Sequence, residues 1–266
     1  MKFISLGSGS SGNCYYINTA NTGIIIDLGL GIRTFKKLYK DYGLSLAEIQ
    51  GILVTHNHTD HTKAIGPLSN EFHIPVYTTE AVHEGMMKNI YLSKKVHPSE
   101  KRIICHNETF EIGAFRITAF PVPHDSHGNN GYIIEAEGKT LVLITDIGHV
   151  TEEIKQAISK AEHLIVESNY DLAMLESGKY PNHLKRRIKG PYGHISNTET
   201  AELLAENLNK ERIKNIWLCH LSEENNTPEL ARSTTKAALT DKGFNLNTQL
   251  SLISLPRRTP YGIIEV

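Results

Sequence analysis

Thr55-His56-Asn57-His58-Thr59-Asp60-His61 follows directly on the apolar run Gly51-Ile52-Leu53-Val54, and this stretch decides the fold. Histidines packed this densely beside a carboxylate seldom occur without a ligand or a charge partner. A β-strand ending at Thr55 would deliver them on a rigid edge. His56 and His58 project to one side of an extended segment, while Asp60 and His61 lie beyond the turn. The pattern His-x-His-x-Asp-His therefore divides into two metal-facing sets, as a dinuclear site requires. A zincin helix would instead carry His-x-x-x-His with a Glu beside the first His, and that Glu is absent.

Around this motif the composition is that of a soluble globular protein. The chain has 266 residues and a formal net charge of −1, so a nucleic-acid partner must be held by a local patch and not by a global positive field. No apolar stretch approaches the roughly 20 residues of a membrane span. Met1-Lys2-Phe3-Ile4-Ser5-Leu6 reaches glycine too soon for a signal peptide. A cytoplasmic protein without a membrane partner is expected. Cys14, Cys105 and Cys219 lie far apart and lack Cys-x-x-Cys spacing, so buried free thiols are expected.

Turn residues and alternation place short strands at 2–6, 14–18 and 23–27, separated by Gly7 to Asn13 and Asn18 to Gly23. Helices are expected at 31–41 and 45–50, after Asp60 and near 80–89, with strands up to Val54 and around Val76. The middle reads as strands 102–105, 108–112, 115–120, 131–136 and 140–145, with Glu137-Gly138-Lys139 as a hairpin-like turn. Helix 151–160, strand 163–167, helix 197–209, strand 215–219 and helix 227–240 then alternate. Two similar halves, each passing from strands to alternation, imply an α/β fold of two sheets packed face to face with helices outside. With no interdomain linker, residues 1–266 read as a single domain. Residues 177–197, which hold Pro181, Gly190, Pro191 and Gly193, are expected to form one long irregular segment.

A dinuclear site needs further ligands at the ends of later strands. His124 after Pro121-Val122-Pro123, Asp146 after Leu141-Val142-Leu143-Ile144-Thr145 and His220 after Ile216-Trp217-Leu218-Cys219 each close an apolar run. Singly, each could be a hydrogen-bonded residue at a strand terminus; together, in this order, they complete the first motif.

With these residues the sequence resembles the metallo-β-lactamase superfamily over essentially its full length. The resemblance implies a four-layer αββα sandwich with two divalent ions, Zn or Mn, at one edge. It implies His56, His58 and His124 on the first metal, Asp60, His61 and His220 on the second, and Asp146 bridging both. True β-lactamases lack the bridging Asp and commonly carry a Cys ligand near its place, so Asp146 points to the phosphodiesterase and thioesterase branches. Ser5-Leu6-Gly7-Ser8-Gly9-Ser10-Ser11-Gly12-Asn13-Cys14, Glu167-Ser168-Asn169-Tyr170-Asp171, Gly193-His194-Ile195-Ser196-Asn197 and His220-Leu221-Ser222 with Asn225-Asn226 narrow it further. They resemble the YycJ/WalJ group, which is associated with DNA exonuclease activity. Pro256-Arg257-Arg258-Thr259-Pro260 fits neither pattern.

The activity so implied is that of a metal-dependent phosphodiesterase, a DNA exonuclease acting 5′ to 3′, in which a hydroxide held by both metals attacks phosphorus. Asp60 and Asp146 would hold the hydroxide and accept its proton, and a separate acid must protonate the departing sugar oxygen. His194, in a glycine-flanked loop, is the candidate; the alternative is a histidine that fixes loop geometry. Ser196 and Asn197 are candidate phosphate contacts if a helix begins just after them. Asn169 is either substrate-facing or a strand-end cap. The loop at 7–13 either lines the cleft or merely connects a hairpin, and it lacks the ending of a P-loop.

Lys179, Lys185, Arg186, Arg187 and Lys189 form a basic strip before His194. Lys185, Arg186 and Arg187 are the expected contacts to a nucleic-acid backbone, DNA rather than RNA, the alternative being a solvated helix face. The same metal ligands would equally serve a hydrolase of a small phosphodiester or thioester. A non-catalytic regulatory protein that keeps metals for stability is the third reading. No feature indicates a protein partner.

Overall fold

Leu141-Val142-Leu143-Ile144 is apolar at every position because its strand is buried on both faces. In the computed structural model, which describes residues 1–20, 22–246 and 249–266, Leu141 and Leu143 enter a core between two sheets, while Val142 and Ile144 enter a core beneath helices. The same division recurs in Ile216 and Leu218 against Trp217 and Cys219, and in Cys14 and Tyr16 against Tyr15 and Ile17.

The first sheet holds β1 (Lys2–Gly7), β2 (Cys14–Asn18), β3 (Gly23–Ile26), β4 (Ile49–Leu53), β5 (Val76–Thr78), β6 (Lys101–Ile103) and β14 (Tyr261–Glu265), in the order β14-β1-β2-β3-β4-β5-β6. The second holds β7 (Thr109–Ile112), β8 (Phe115–Pro121), β9 (Asn130–Ala136), β10 (Lys139–Ile144), β11 (His163–Glu167), β12 (Asn215–Cys219) and β13 (Ser251–Ser254), in the order β13-β12-β11-β10-β9-β8-β7. Pairing is antiparallel from β14 to β3 and parallel from β3 to β6. It is likewise antiparallel from β7 to β10 and parallel from β10 to β13. Helices α1 (Ile32–Asp41), α3 (Ile65–Phe72) and α4 (Glu80–Lys88) bury Phe35, Leu68 and Val82 against the first sheet. Helices α5 (Glu152–Lys160), α8 (Asn197–Asn207) and α9 (Pro228–Asp241) bury Ile154, Leu204 and Leu239 against the second. The layers are α, β, β, α, as expected. Between the sheets, Trp217 packs with its ring centroid 4.5 Å from that of Phe3; truncating so large a core side chain costs roughly 3–5 kcal/mol.

The hairpin between β9 and β10 turns at Glu137 (φ 52°) and Gly138 (φ 70°), both left-handed, which a two-residue turn of this hand requires. Other expectations are corrected. The helix foreseen at 45–50 is only a 3₁₀ turn, Leu46–Glu48, because Ile49 is already paired with Gly23. The segment 177–197 is not irregular throughout: α6 (Leu172–Ser177) runs into it, and α7 (Asn182–Ile188) starts after Pro181. Its prolines and glycines only bound α7, whose own residues contain no helix breaker. Strands β13 and β14 were not foreseen; both are short and partly exposed, and β14 exists through its pairing with β1. Cys14 and Cys219 are buried, but Cys105, next to a turn after β6, is exposed. The expected turn at 18–23 includes Asn21, which lies outside the described residues. Among the described residues no helix is long and apolar enough to cross a membrane.

Candidate metal centre

The parallel strands of both sheets end at one edge, where side chains from successive strand ends can converge. Asp27 follows β3, His56 to His61 follow β4 on the way into the short α2 (Thr59–Thr62), and His124 follows β8. Asp146 follows β10, Glu167 closes β11 and His220 follows β12. Asp27, Asp146 and His220 take φ values of 58°, 56° and 51°. Left-handed backbone costs a non-glycine residue about 1–3 kcal/mol and recurs where function fixes geometry.

The structure brings together all seven residues singled out as ligands. His56, His58 and His124 place ligand atoms within 4.8 Å of one another, as do Asp60, His61 and His220. Asp146 reaches both groups: Oδ1 is 4.0 Å from His56 Nε2 and 3.7 Å from His124 Nε2, and Oδ2 is 3.3 Å from His61 Nε2. Asp60 Oδ2 lies 3.7 Å from His61 Nε2 and 3.5 Å from His220 Nε2.

The hydrogen bonds behind the rings show that these residues suit a metal. Nδ1 of His61 donates to Asp27 Oδ2 (2.7 Å), Nδ1 of His124 to the Gly193 carbonyl (2.9 Å) and Nδ1 of His220 to Glu167 Oε1 (3.0 Å). A proton held on Nδ1 leaves the Nε2 lone pair free to ligate. Nε2 of His56, His124 and His220 is buried and has no hydrogen-bond partner, a costly condition for polar atoms unless a ligand takes them up. Imidazole and carboxylate donors of this kind suit zinc or manganese.

Electrostatics divides the cluster. Burial opposes charge on His61, but Asp146, Asp27 and Asp60 outweigh it and raise its pKa to about 9. His220 is likewise raised against its burial, by Asp146, Asp60 and Glu167. His56 and His124 are pushed down, chiefly by burial. Burial would raise the Asp146 carboxyl, yet His220, His61, His56 and His124 hold it well below the usual range. The carboxylates that attract protons to His61 and His220 would attract a divalent cation to the same place.

His194 lies between the two groups, its ring centroid 5.1 Å from that of His124 and 5.3 Å from that of His220. Its Nδ1 donates to Glu167 Oε1 at 2.7 Å. Asp146, Glu167, His194 and His220 also bring ligand atoms within 4.8 Å, but Glu167 Oε1 already accepts from both imidazoles.

Other expected contacts are placed differently. Ser196 is the N-cap of α8, in a reciprocal capping box with Glu199. Asn197 is buried, its amide spent on Ser168 and Asn226. Neither side chain offers a free group to a phosphate, because holding the α8 terminus takes both. Asn169 donates to the His220 carbonyl at 2.8 Å and so fixes a candidate ligand. The glycine-serine loop also reaches the site: Ser8 Oγ accepts from His220 N at 3.1 Å, and Asn13 Nδ2 donates to His61 Nε2 at 2.9 Å, on the nitrogen that a metal would take over. Of the basic strip, Lys185 donates to the Glu176 carbonyl (2.7 Å), Lys189 pairs with Glu176, Arg186 is exposed, and Arg187 pairs with Asp125.

Four participants were missed as such. Asp27 accepts from Thr55 N (2.8 Å), Thr55 Oγ1 (2.7 Å) and His61. Buried Glu167 accepts from Ile147 N (2.8 Å) besides the two imidazoles. Asp125 Oδ1 lies 3.0 Å from His58 Nε2 and 3.4 Å from His124 Nε2. Arg257 donates to the carbonyls of Leu221 (2.8 Å), Ser222 (2.6 Å) and Asn226 (2.9 Å), pinning the loop after His220. A carboxylate closing an apolar run, the signal used for Asp146, would have found Asp27 and Glu167.

Comparison with known proteins agrees with this architecture. A β-lactamase superfamily domain matches residues 22–214. The chain is 34% identical to the exodeoxyribonuclease YycJ of Bacillus anthracis, over 99% of this chain and 98% of that protein. It is 33% identical to the exodeoxyribonuclease WalJ of Streptococcus pneumoniae serotype 2, over 97% of this chain and 96% of that one. The crystal structure of YhfI from Bacillus subtilis, a metallo-β-lactamase fold protein, superposes with a TM-score of 0.72 at 16% identity, covering 98% of each chain.

Proposed function

Because the chain belongs to the β-lactamase superfamily, we propose that it is a DNA exonuclease whose seven clustered residues hold two divalent ions, zinc or manganese. That it is a metal-dependent hydrolase follows from the family and from its full-length relatives. DNA as substrate is supported by the names of those relatives, and the 5′ to 3′ direction by likeness to that group alone. The observation that carries the proposal is Asp146, whose two oxygens reach the two groups of imidazoles.

Divalent ions held there would supply a water whose pKa is brought toward neutrality and would polarise a phosphoryl oxygen. Asp60 and Asp146 are the carboxylates that would orient such a water and take up its proton. With Nδ1 engaged by Glu167, His194 has Nε2 available to protonate the departing sugar oxygen. Arg187 and Lys88 line a cleft of ≈ 630 Å³ together with His58 and Asp60, and there they meet phosphates flanking the scissile bond. Ser196, Asn197 and Asn169 support the frame and leave phosphate binding to these cations. We take residues 1–266 as one domain, supported by the return of β14 to β1, and place the protein in the cytoplasm.

The test is turnover of end-labelled single- and double-stranded DNA and RNA with defined 5′ groups, with several divalent metals, on the native chain and Asp146→Ala. DNA should shorten from one end, and the variant should lose bound metal or activity. Full metal content with full turnover in Asp146→Ala would remove the bridging role; turnover of RNA alone would remove DNA as substrate.

A further inference from the structure

The rim of the metal cleft carries a large aromatic side chain in solvent, Tyr91, and its sequence neighbour Ile90 is exposed as well. Ile90 is 86% exposed and Tyr91 78%, at the end of α4 and next to the metal-binding loop. Burial is the usual state of such residues, and exposed apolar groups joined to a binding cleft tend to meet a ligand. The backbone that carries Tyr91 is anchored. A Cβ at Gly85 would collide with the Asn57 side chain, so α4 lies directly on the His56 to His61 segment because it has glycine there. Asn89 then ties the helix end to that segment, its Nδ2 donating to the Asn57 carbonyl (3.2 Å) and to Thr59 Oγ1 (3.3 Å). Its Oδ1 accepts from Tyr91 N at 3.0 Å. Tyr91 lines the same cleft as His58, Asp60, Lys88 and Arg187.

An aromatic face held beside cations and a metal site matches the chemistry of a nucleotide in a single strand: phosphate on the cations, base on the ring. Resting on the nuclease reading above, we propose that Tyr91 is a stacking platform for the unpaired nucleobase next to the scissile phosphodiester. Lys88 and Arg187 hold the neighbouring phosphates. Stacking of this kind tolerates any base, since every base has a π-face, and it requires the strand end to be unpaired.

The test compares Tyr91→Ala and Tyr91→Phe with the native chain in two measurements. One is binding of a single-stranded oligonucleotide with 2-aminopurine at its terminal position, followed by fluorescence without added metal. The other is kcat/KM on metal-loaded protein for oligonucleotides ending in a normal or an abasic nucleotide. Tyr91→Ala should reduce affinity and kcat/KM by about 10-fold, as expected when one stack is removed, and should abolish the 2-aminopurine quench. Tyr91→Phe should keep both, because the ring and not the hydroxyl is used. With the abasic end the difference between Tyr91→Ala and the native chain should close. A drop of the same size on the abasic substrate, a Phe variant as poor as the Ala variant, or an Ala variant equal to the native chain each overturns the platform alone. A native chain that neither binds nor cleaves DNA overturns the nuclease reading and the platform with it.

Discussion

Glu167 is the residue on which two roles meet, since its Oε1 accepts from His194 at 2.7 Å and from His220 at 3.0 Å. On the function proposed above, it would orient one imidazole as a metal ligand and the other as a proton donor. His194→Ala should therefore slow hydrolysis by about 10²-fold or more while metal content is preserved, as for removal of a general acid; metal analysis beside turnover checks both halves. An unchanged rate on a substrate with a poor leaving group would remove the acid role. Asp27 acts one step further back, on the far nitrogen of His61 and on both polar groups of Thr55. Asp27→Asn should weaken metal binding by about 10–100-fold with the fold retained, as removal of a partner behind a ligand does, and competition with a chromogenic chelator would measure it. At this scale the site was legible where it is local: four candidate ligands lie within one short segment after β4. Asp27 closes the apolar run Gly23 to Ile26, a signal that could have been read, but its pairing with His61, 34 positions away, was not legible.

Among the elements, α7 differs most from its sequence expectation. The cations at 179–189 were expected to act as one strip, yet the helix separates them. Lys185 and Lys189 turn to Glu176 at the end of α6, whereas Arg187 reaches Asp125 at the cleft. Replacing Arg186 and Arg187 with Gln should weaken DNA binding on all sequences and flatten its salt dependence by about one unit of slope for each phosphate no longer neutralised. Lys185→Gln should do less, because its ammonium is held on the Glu176 carbonyl and does not line the cleft that Arg187 lines. Affinity titrations at several salt concentrations distinguish the two. Equal effects of the two changes would make the helix charge a general field, and no effect of either would take α7 out of the DNA path. The helix itself was hidden because prolines and glycines on both sides outweighed seven residues without a breaker between them.

For the molecule as a whole, the buried His163 at the start of β11 couples stability to pH. Burial lowers its pKa to about 4 even though Glu162 opposes the shift, and Asn215 Nδ2 donates to its Nδ1 at 2.9 Å, which fits the neutral ring. In the unfolded chain the ring titrates near 6.5, so between about pH 6.5 and 4 the unfolded state binds more protons. The sign follows: the His163 contribution is complete above pH 6.5 and is lost as pH falls toward 4. From pH 6.5 to 4.5 the native chain should lose stability relative to His163→Gln by about 2 kcal/mol at most, read from urea midpoints; parallel pH curves would exclude the coupling. Within the chain taken alone, two things were decided. Two sheets with helices outside came from two halves that each pass from strands to α/β alternation, and the candidate ligands came from the His-rich segment and from polar residues closing apolar strands; these patterns are local, and the family resemblance joined them into an αββα sandwich with one ligand set. Only the tertiary structure decided that Asp146 stands between the two groups, that Asn197 is spent on a buried network, and that β14 completes the first sheet. It also gave Arg257 its task, 36 residues from the Leu221 carbonyl it holds. Each of these depends on which distant strand ends meet at one edge, and packing of the two sheets sets that meeting, not the preference of any segment.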